Sequence, residues 1–246
     1  MSRTAEVVRK SKETQLTAKV VLEGRERVMV ATGLPFLDHM LEQVARYGGF
    51  DLTFRGAGDV HVDTHHLVED AGIVLGQALS QAMGDRAGIT RFASAYAPLD
   101  ESLARVVVDL GKRPYLSYNV PLRGRVGSLE SEVLEEFWKA LSIHLGATIH
   151  VDVIRGRNRH HIAEATFKAL GLALRGRIGT LESEVLEEFW EALSIHLGAT
   201  IHVDVIRGRN RHHIAEATFK ALGLSLRQAM AAEGGPGVPS SKGLLG

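Results

Sequence analysis

His65-His66-Leu67-Val68-Glu69 and His160-His161-Ile162-Ala163-Glu164 are two spellings of one motif, and their surroundings decide the architecture. Both open an apolar helix. Ala71, Ile73, Val74, Leu75 and Ala78 follow the first motif, and Ala165, Phe167, Ala169, Leu170 and Leu172 follow the second. Each motif is preceded by a strand-like run, residues 51–55 and 148–154, and each run by a helix, about residues 35–47 and 128–145. β-Branched segments at 15–22 and 28–31 begin the first half, and segments at 89–96, 103–110 and 115–120 begin the second, with Gly111 and Pro114 as punctuation. The chain therefore reads as two diverged halves, 1–84 and 85–174. Its fold class is α+β, a mainly antiparallel sheet in each half with helices on one face.

Local detail follows from the same spacing. Leu129, Val133, Phe137, Ala140 and Leu141 form one apolar helical stripe, with Ser128 expected as its N-cap and Gly146 at its end. In the next strand Ile149, Val151 and Val153 share one face, and His150 and Asp152 take the other.

A second repeat is far more recent. Residues 123–174 return as 175–226 with four differences, Val126/Ile178, Ser128/Thr180, Lys139/Glu191 and Ala173/Ser225. Solenoid repeats diverge and number three or more, so two near-identical copies read as a duplication adding an extra α-β-α segment, 175–226. The tail, 227–246, turns Gly/Pro/Ser-rich from Glu233 onward. Either copy can complete the second half. Their cores are so alike that packing is expected to separate them little. Loop closure over the first copy disfavours the second by about 1–2 kcal/mol, offset by the reach then demanded of the tail, so a bias toward the first copy is expected. The copy left over exposes an apolar stripe such as Val133, Phe137 and Leu141 or its twin.

Composition narrows the function. A formal net charge of +0 gives no electrostatic footprint for nucleic acid or an anionic membrane. With Cys 0 there are no disulfides or thiolate ligands, which fits a reducing cytoplasm. No apolar run nears the ~20 residues that span a bilayer, and the first twelve residues lack an apolar signal core. A cytoplasmic protein is expected. The unusual count is His 12.

Adjacent histidines at a helix start point about 100° apart, so they suit two ions better than one, with the glutamate one turn later beside either. Imidazole with carboxylate suits Mn²⁺, Fe²⁺ or Zn²⁺. Counting back from each motif reaches His39 in the first half and Glu136 in the second, at equivalent helical positions. The metal candidates are His39, His65, His66, Glu69, Glu136, His160, His161 and Glu164. Their twins in the second copy are Glu188, His212, His213 and Glu216. The chain has no His-Glu-x-x-His motif, no Gly-x-x-x-x-Gly-Lys loop and no Gly-x-Ser-x-Gly elbow.

Several further motifs resemble the imidazoleglycerol-phosphate dehydratase family from about Val8 to Gly243. They are Arg9-Lys10-Ser11-Lys12-Glu13-Thr14, Phe36-Leu37-Asp38-His39-Met40, Gly58 to His66, Pro98-Leu99-Asp100-Glu101, Arg113-Pro114-Tyr115, Gly156 to His161, Phe167-Lys168-Ala169 and Pro239-Ser240-Ser241-Lys242-Gly243. The resemblance implies halves like domain 2 of ribosomal protein S5. It also implies trimers assembled into a cubic-symmetry shell, and sites between subunits holding two Mn²⁺ ions, other divalent metals being alternatives. Glu136 stands where many members place a histidine. Arg91, Arg113, Lys168 (or Lys220), Ser240, Ser241 and Lys242 would hold the phosphate of a small phosphorylated imidazole. Glu13 would sit near the reacting carbon. His39, Glu69, Glu164 and Glu216 would share the catalytic work through the metals.

The implied chemistry explains the residue types. The proton to be removed is barely acidic, and an imidazole ring bound to two cations becomes an electron sink that can expel a side-chain hydroxyl. A carboxylate such as Glu13 then takes the proton, while Arg and Lys fix the phosphate end. Two other readings remain open on the residues alone. One is a metal-binding assembly protein whose extra segment has disabled catalysis; the other is a two-metal hydrolase, since ligands alone do not fix a reaction.

Overall fold

The computed structural model describes residues 3–175, 190, 193–194, 197, 201–206 and 211–229. The chain forms two compact units, Met1–Thr180 and Leu181–Gly246. In the first unit the opening elements are β1 (Thr4–Lys10), β2 (Thr14–Val21), β3 (Val28–Ala31), α1 (Pro35–Gly48), β4 (Asp51–Gly58) and α2 (His65–Met83). The same order then returns as β5 (Phe92–Leu99), β6 (Ser102–Asp109), β7 (Tyr115–Asn119), α3 (Val133–Leu145), β10 (Thr148–Arg155) and α4 (Arg159–Leu174). A small hairpin, β8 (Arg125–Val126) and β9 (Leu129–Glu130), precedes α3.

The two sheets share one topology, β1-β2-β4-β3 and β5-β6-β10-β7. Three pairs of each four-stranded sheet follow one rule: the first two are antiparallel, and the last, β3–β4 or β7–β10, is parallel. Register makes the halves comparable residue by residue. Asp51 opposes Val21 and Thr148 opposes Asp109, so Thr14 corresponds to Ser102 and Glu13 to Glu101.

Strand alternation supplies one wall of each layer. In β2, Leu16, Ala18 and Val20 are fully buried; in β6, Ala104, Val106 and Val108 are. Helices α2 and α4 cover their own sheets, but each pairs with a helix of the other half, α2 with α3 and α4 with α1. Close approach at these crossings needs glycine. A Cβ at Gly76 would lie 2.8 Å from the Leu145 amide nitrogen, and one at the equivalent Gly171 would lie 2.8 Å from the Val44 carbonyl oxygen. Phe137, Trp138 and Phe167 close the second half's core, all fully buried.

Some sequence expectations need correction. Ser128 does not cap α3: it sits in the β8–β9 turn, where Gly127 takes φ +61°, and α3 starts at Val133 without a side-chain cap. Leu129 is buried, but as part of β9 rather than of the helical stripe. Strand β1 went unread because Glu6, Arg9 and Lys10 mask the alternation of Ala5 and Val7, its buried side chains. Gly146 does end α3, in the left-handed conformation. Ile149 and Val151 are buried and His150 is exposed, as the strand period requires.

In the second unit, α5 (Arg211–Ala229) repeats the sequence of α4 and runs further. Trp190 and Phe219 keep a ring contact at 5.1 Å, close to the 5.2 Å of Trp138 and Phe167. Phe219 is nevertheless 40% exposed where Phe167 is 0% exposed. No helix among the described residues is long and apolar enough to cross a membrane.

Candidate active site

Packing of α1 against α4 brings His39 to the His160–Glu164 pair, one turn of α4. His39 Nε2 lies 3.1 Å and His160 Nε2 3.0 Å from the same oxygen, Glu164 Oε2. One ligand atom from each residue fits within 4.8 Å of the others, so the trio can hold a metal ion.

Each member is placed by local structure. Thr32 donates its N–H (2.8 Å) and hydroxyl (2.5 Å) to Asp38, fastening the start of α1 beside Pro35. His39 is then presented from the second turn, with Gln43 at 3.3 Å from its Nδ1. At α4 the Asn158 side chain caps the helix by accepting the N–H groups of His160 and His161. Phe36 meets the His160 ring edge-on at 5.4 Å.

Glu164 is almost wholly buried. Burial alone would raise its pKa, but Lys168 Nζ at 2.7 Å and His39 outweigh it and hold the carboxyl below its usual range. Lys168 also lies over the Tyr47 ring.

The second histidine of each motif turns elsewhere. Rings of His160 and His161 stand at 85° to one another, and those of His65 and His66 at 86°. His161 Nδ1 is 2.8 Å from Glu101 Oε2. That bond raises the His161 pKa, and Glu101 is held well below the carboxylate range by the Asn158 N–H, by His161 and by the Arg157 N–H.

In the first half, His65 Nε2 is 3.7 Å from Glu69, and His66 Nδ1 is 3.5 Å from Asp59 Oδ1. The last two atoms are buried, and neither has a hydrogen-bond partner. Glu136 pairs with Lys139 at 3.5 Å instead of joining the trio of His39, His160 and Glu164.

Other expected groups fall at separate places. The turn bearing Glu13 is fastened to α2 through buried Asp70, which accepts from Thr14 Oγ1 and from Arg9 Nε at 2.7 Å. Arg91 and Arg113 converge on Asp109, at 2.5 Å and 3.6 Å. Lys168 belongs to the histidine–glutamate trio. Glu188, Ser240, Ser241 and Lys242 lie outside the described residues, as do the side chains of His212, His213 and Glu216. Lys220 is exposed on α5. Sequence reasoning missed the contacts of Glu101 and Asp59 with histidine. Glu101 lies 60 residues from His161, so only the fold brings the two together; Asp59 lies inside the Gly58 to His66 motif, but in a loop, where no helix or strand period signals the contact.

An α+β sandwich whose halves lend histidine and glutamate to a common point has the donor set of a protein that binds a divalent metal ion. Comparison with known proteins makes the class particular. The family described as "Imidazoleglycerol-phosphate dehydratase" matches residues 32–174 and again 175–226. A relative of that name from Aromatoleum aromaticum is 53% identical over 174 residues, 70% of this chain and 89% of its own length. One from Halorhodospira halophila is 52% identical over 181 residues, 73% of this chain and 92% of its own. The crystal structure of the Staphylococcus aureus dehydratase is 39% identical, with TM-score 0.63 over 72% of this chain and 98% of that one. The IGPD of Pyrococcus furiosus, solved in complex with (S)-C348, is 38% identical, with TM-score 0.62 over 72% and 95%. The chain belongs to the imidazoleglycerol-phosphate dehydratase family.

Proposed function

We propose that this chain dehydrates imidazoleglycerol phosphate to imidazole acetol phosphate, as a carbon–oxygen lyase of histidine biosynthesis with two Mn²⁺ ions per site. The convergence of His39, His160 and Glu164 carries the reading. It supplies two imidazole nitrogens and one carboxylate oxygen, the donor set a borderline divalent cation takes. Bound divalent cations would stabilise negative charge on the substrate's imidazole ring. His65, His66, Glu69, Glu136 and His161 complete the proposed ligand set, and residues 175–226 are read as a duplicated copy of 123–174.

The remaining steps fall to the chain's own side chains. Glu13 is exposed on a turn fastened by Asp70 and takes the proton from the reacting carbon. Arg91 and Arg113 bind the phosphate with Lys168, Ser240, Ser241 and Lys242. Within one subunit Arg91 and Arg113 stand far from His161. Asp109, which gathers the two arginines, ends β6, whereas Glu101, in contact with His161, precedes its first residue. At ~3.4 Å per residue the two places are about 25 Å apart along the strand, further than a small phosphate ester reaches. This supports a site shared between subunits, in trimers and a cubic shell.

Purified protein stripped by a chelator should lose turnover of imidazoleglycerol phosphate and regain it with Mn²⁺. Turnover indifferent to thorough metal removal would overturn the reading.

A further inference from the structure

Glu101 occupies the β5–β6 turn, beside Asp100, whose φ is +46°. Its two carboxylate oxygens do different work. Oε1 accepts the N–H of Asn158 at 2.7 Å and of Arg157 at 3.0 Å, and the Ser102 hydroxyl lies 3.2 Å away. The loop that launches α4 is thereby tied to the turn. Oε2 faces His161 Nδ1 at 2.8 Å. An ionised carboxylate has no proton to give, so Nδ1 carries the hydrogen, and the free lone pair of the neutral ring lies on Nε2. The nearest carboxylate to Nε2 is Asp100, at 3.6 Å and largely exposed.

The other half shows that this is an assigned role and not a necessity of the fold. Glu13 is the register equivalent of Glu101. Only its backbone carbonyl is tied to the following loop, accepting the Asp59 N–H at 3.0 Å. Its carboxylate is not spent on the histidine, because Asp59 Oδ1 faces His66 Nδ1 from that loop itself. Equivalent glutamates have thus separated: one is fixed against a histidine and one projects outward.

We propose that Glu101 is a positioning residue. It locks His161 as the Nδ1–H tautomer and leaves the Nε2 lone pair free to ligate a metal. The proposal rests on the dehydratase reading above. Carboxylate partners of metal-binding histidines typically tune affinity 10–100-fold. Glu101 lies outside the repeated sequence, so it serves whichever copy completes the half.

The discriminating substitution is Glu101→Gln. Its carbonyl must stay with the Arg157 and Asn158 N–H groups, so its NH₂ turns to His161 Nδ1 and demands an acceptor there. The imidazole then becomes the Nε2–H form, which cannot ligate through Nε2. Solid-state ¹⁵N spectra of histidine-labelled, metal-free holo-length protein should show one histidine changing tautomer. Mn²⁺ affinity should fall 10–100-fold while the melting temperature stays close to wild type. Glu101→Ala should lower the melting temperature more than Glu101→Gln does, because it frees the loop. If Glu101 only anchors the loop, Glu101→Gln will bind Mn²⁺ within twofold of wild type with unchanged histidine spectra, and the proposal is wrong. His161→Ala combined with His213→Ala separates this failure from a deeper one. Unaltered Mn²⁺ affinity in that double variant would remove histidine 161 from the ligand set, and the metal reading of that residue would fall together with the role of Glu101.

Discussion

Residues 123–174 and 175–226 are almost the same sequence in two situations. In the first copy, Phe167 is fully buried against Phe137 and Trp138. In the second, Phe219 keeps its tryptophan partner yet is 40% exposed. Three of the four differences between copies acquire meaning from the positions the first copy fills, and nothing in the structure explains the Ser128/Thr180 difference. Ala173 is 1% exposed, so the serine of the second copy would carry a hydroxyl into the core. Val126 is 4% exposed, so isoleucine would overpack the hairpin. Lys139 pairs with Glu136, and glutamate there would set two like charges one turn apart, a small effect on an exposed surface. Together these disfavour the second copy by roughly 1–3 kcal/mol. Near-identity of sequence therefore leaves more packing difference than the sequence alone suggests.

The largest expected effect tests what lies outside the copies. Replacing His65 or His66 by alanine should reduce turnover to background, because no second version of the first half exists. A near-wild-type rate in either variant would remove that histidine from the site and overturn the ligand set.

Next comes the asymmetry between copies. The double variant His160→Ala with His161→Ala should keep a few per cent of wild-type turnover, as a ~1–3 kcal/mol bias implies. His212→Ala with His213→Ala should keep nearly all of it. Equal losses in the two double variants would break the comparison.

The asymmetry can also be sharpened. Converting Ile178, Glu191 and Ser225 to valine, lysine and alanine within the His160/His161 double variant should raise its turnover several-fold. No gain would mean that these three differences do not set the preference. Conversely, Ala173→Ser in the wild-type chain should cost about 0.5–1 kcal/mol, a fall in Tm of roughly 1–4 °C by calorimetry. An unchanged Tm would show that the helix absorbs the hydroxyl by bonding it to the preceding turn.

The smallest effect concerns acid. Glu164 has a lowered pKa in the folded chain, so its contribution to stability is present above its ordinary value of 4.5 and is lost as pH falls through the lower folded value. Metal-free Glu164→Gln should therefore show a shallower decline of Tm below about pH 4.5 than wild type. Parallel declines would mean that Lys168 and His39 do not stabilise the carboxylate.

The legible parts of this molecule were those written locally. β-Branched runs marked β2, β3, β6 and β7, alternation marked β10, and the paired His-His-x-x-Glu motifs marked the starts of α2 and α4. Gly146 marked the end of α3. What escaped was set by distant partners. β1 is recognisable as a strand only when its seven residues lie against β2. The equivalence of His39 and Glu136 is visible in spacing, but not that His39 meets His160, since that contact follows from α1 packing on the other half's helix. Glu101 belongs to a recognisable motif, yet its bond to His161 spans 60 residues of chain.

The cross-half pairing of α1 with α4 sets a clock. Nothing can finish the first unit until α4 has been made, because Gly171 must come to rest on the Val44 carbonyl. The twin of α4 follows 52 residues later. At about 5–20 residues per second, that is a delay of roughly 3–10 s, while domains of this size commonly fold within milliseconds to seconds. On the ribosome the first copy thus gains a head start independent of its better fit. Chains diluted from denaturant have both copies at once and lose that advantage. Freshly synthesised and refolded protein should then differ in the fraction of molecules completed by each copy, until unfolding lets them equilibrate.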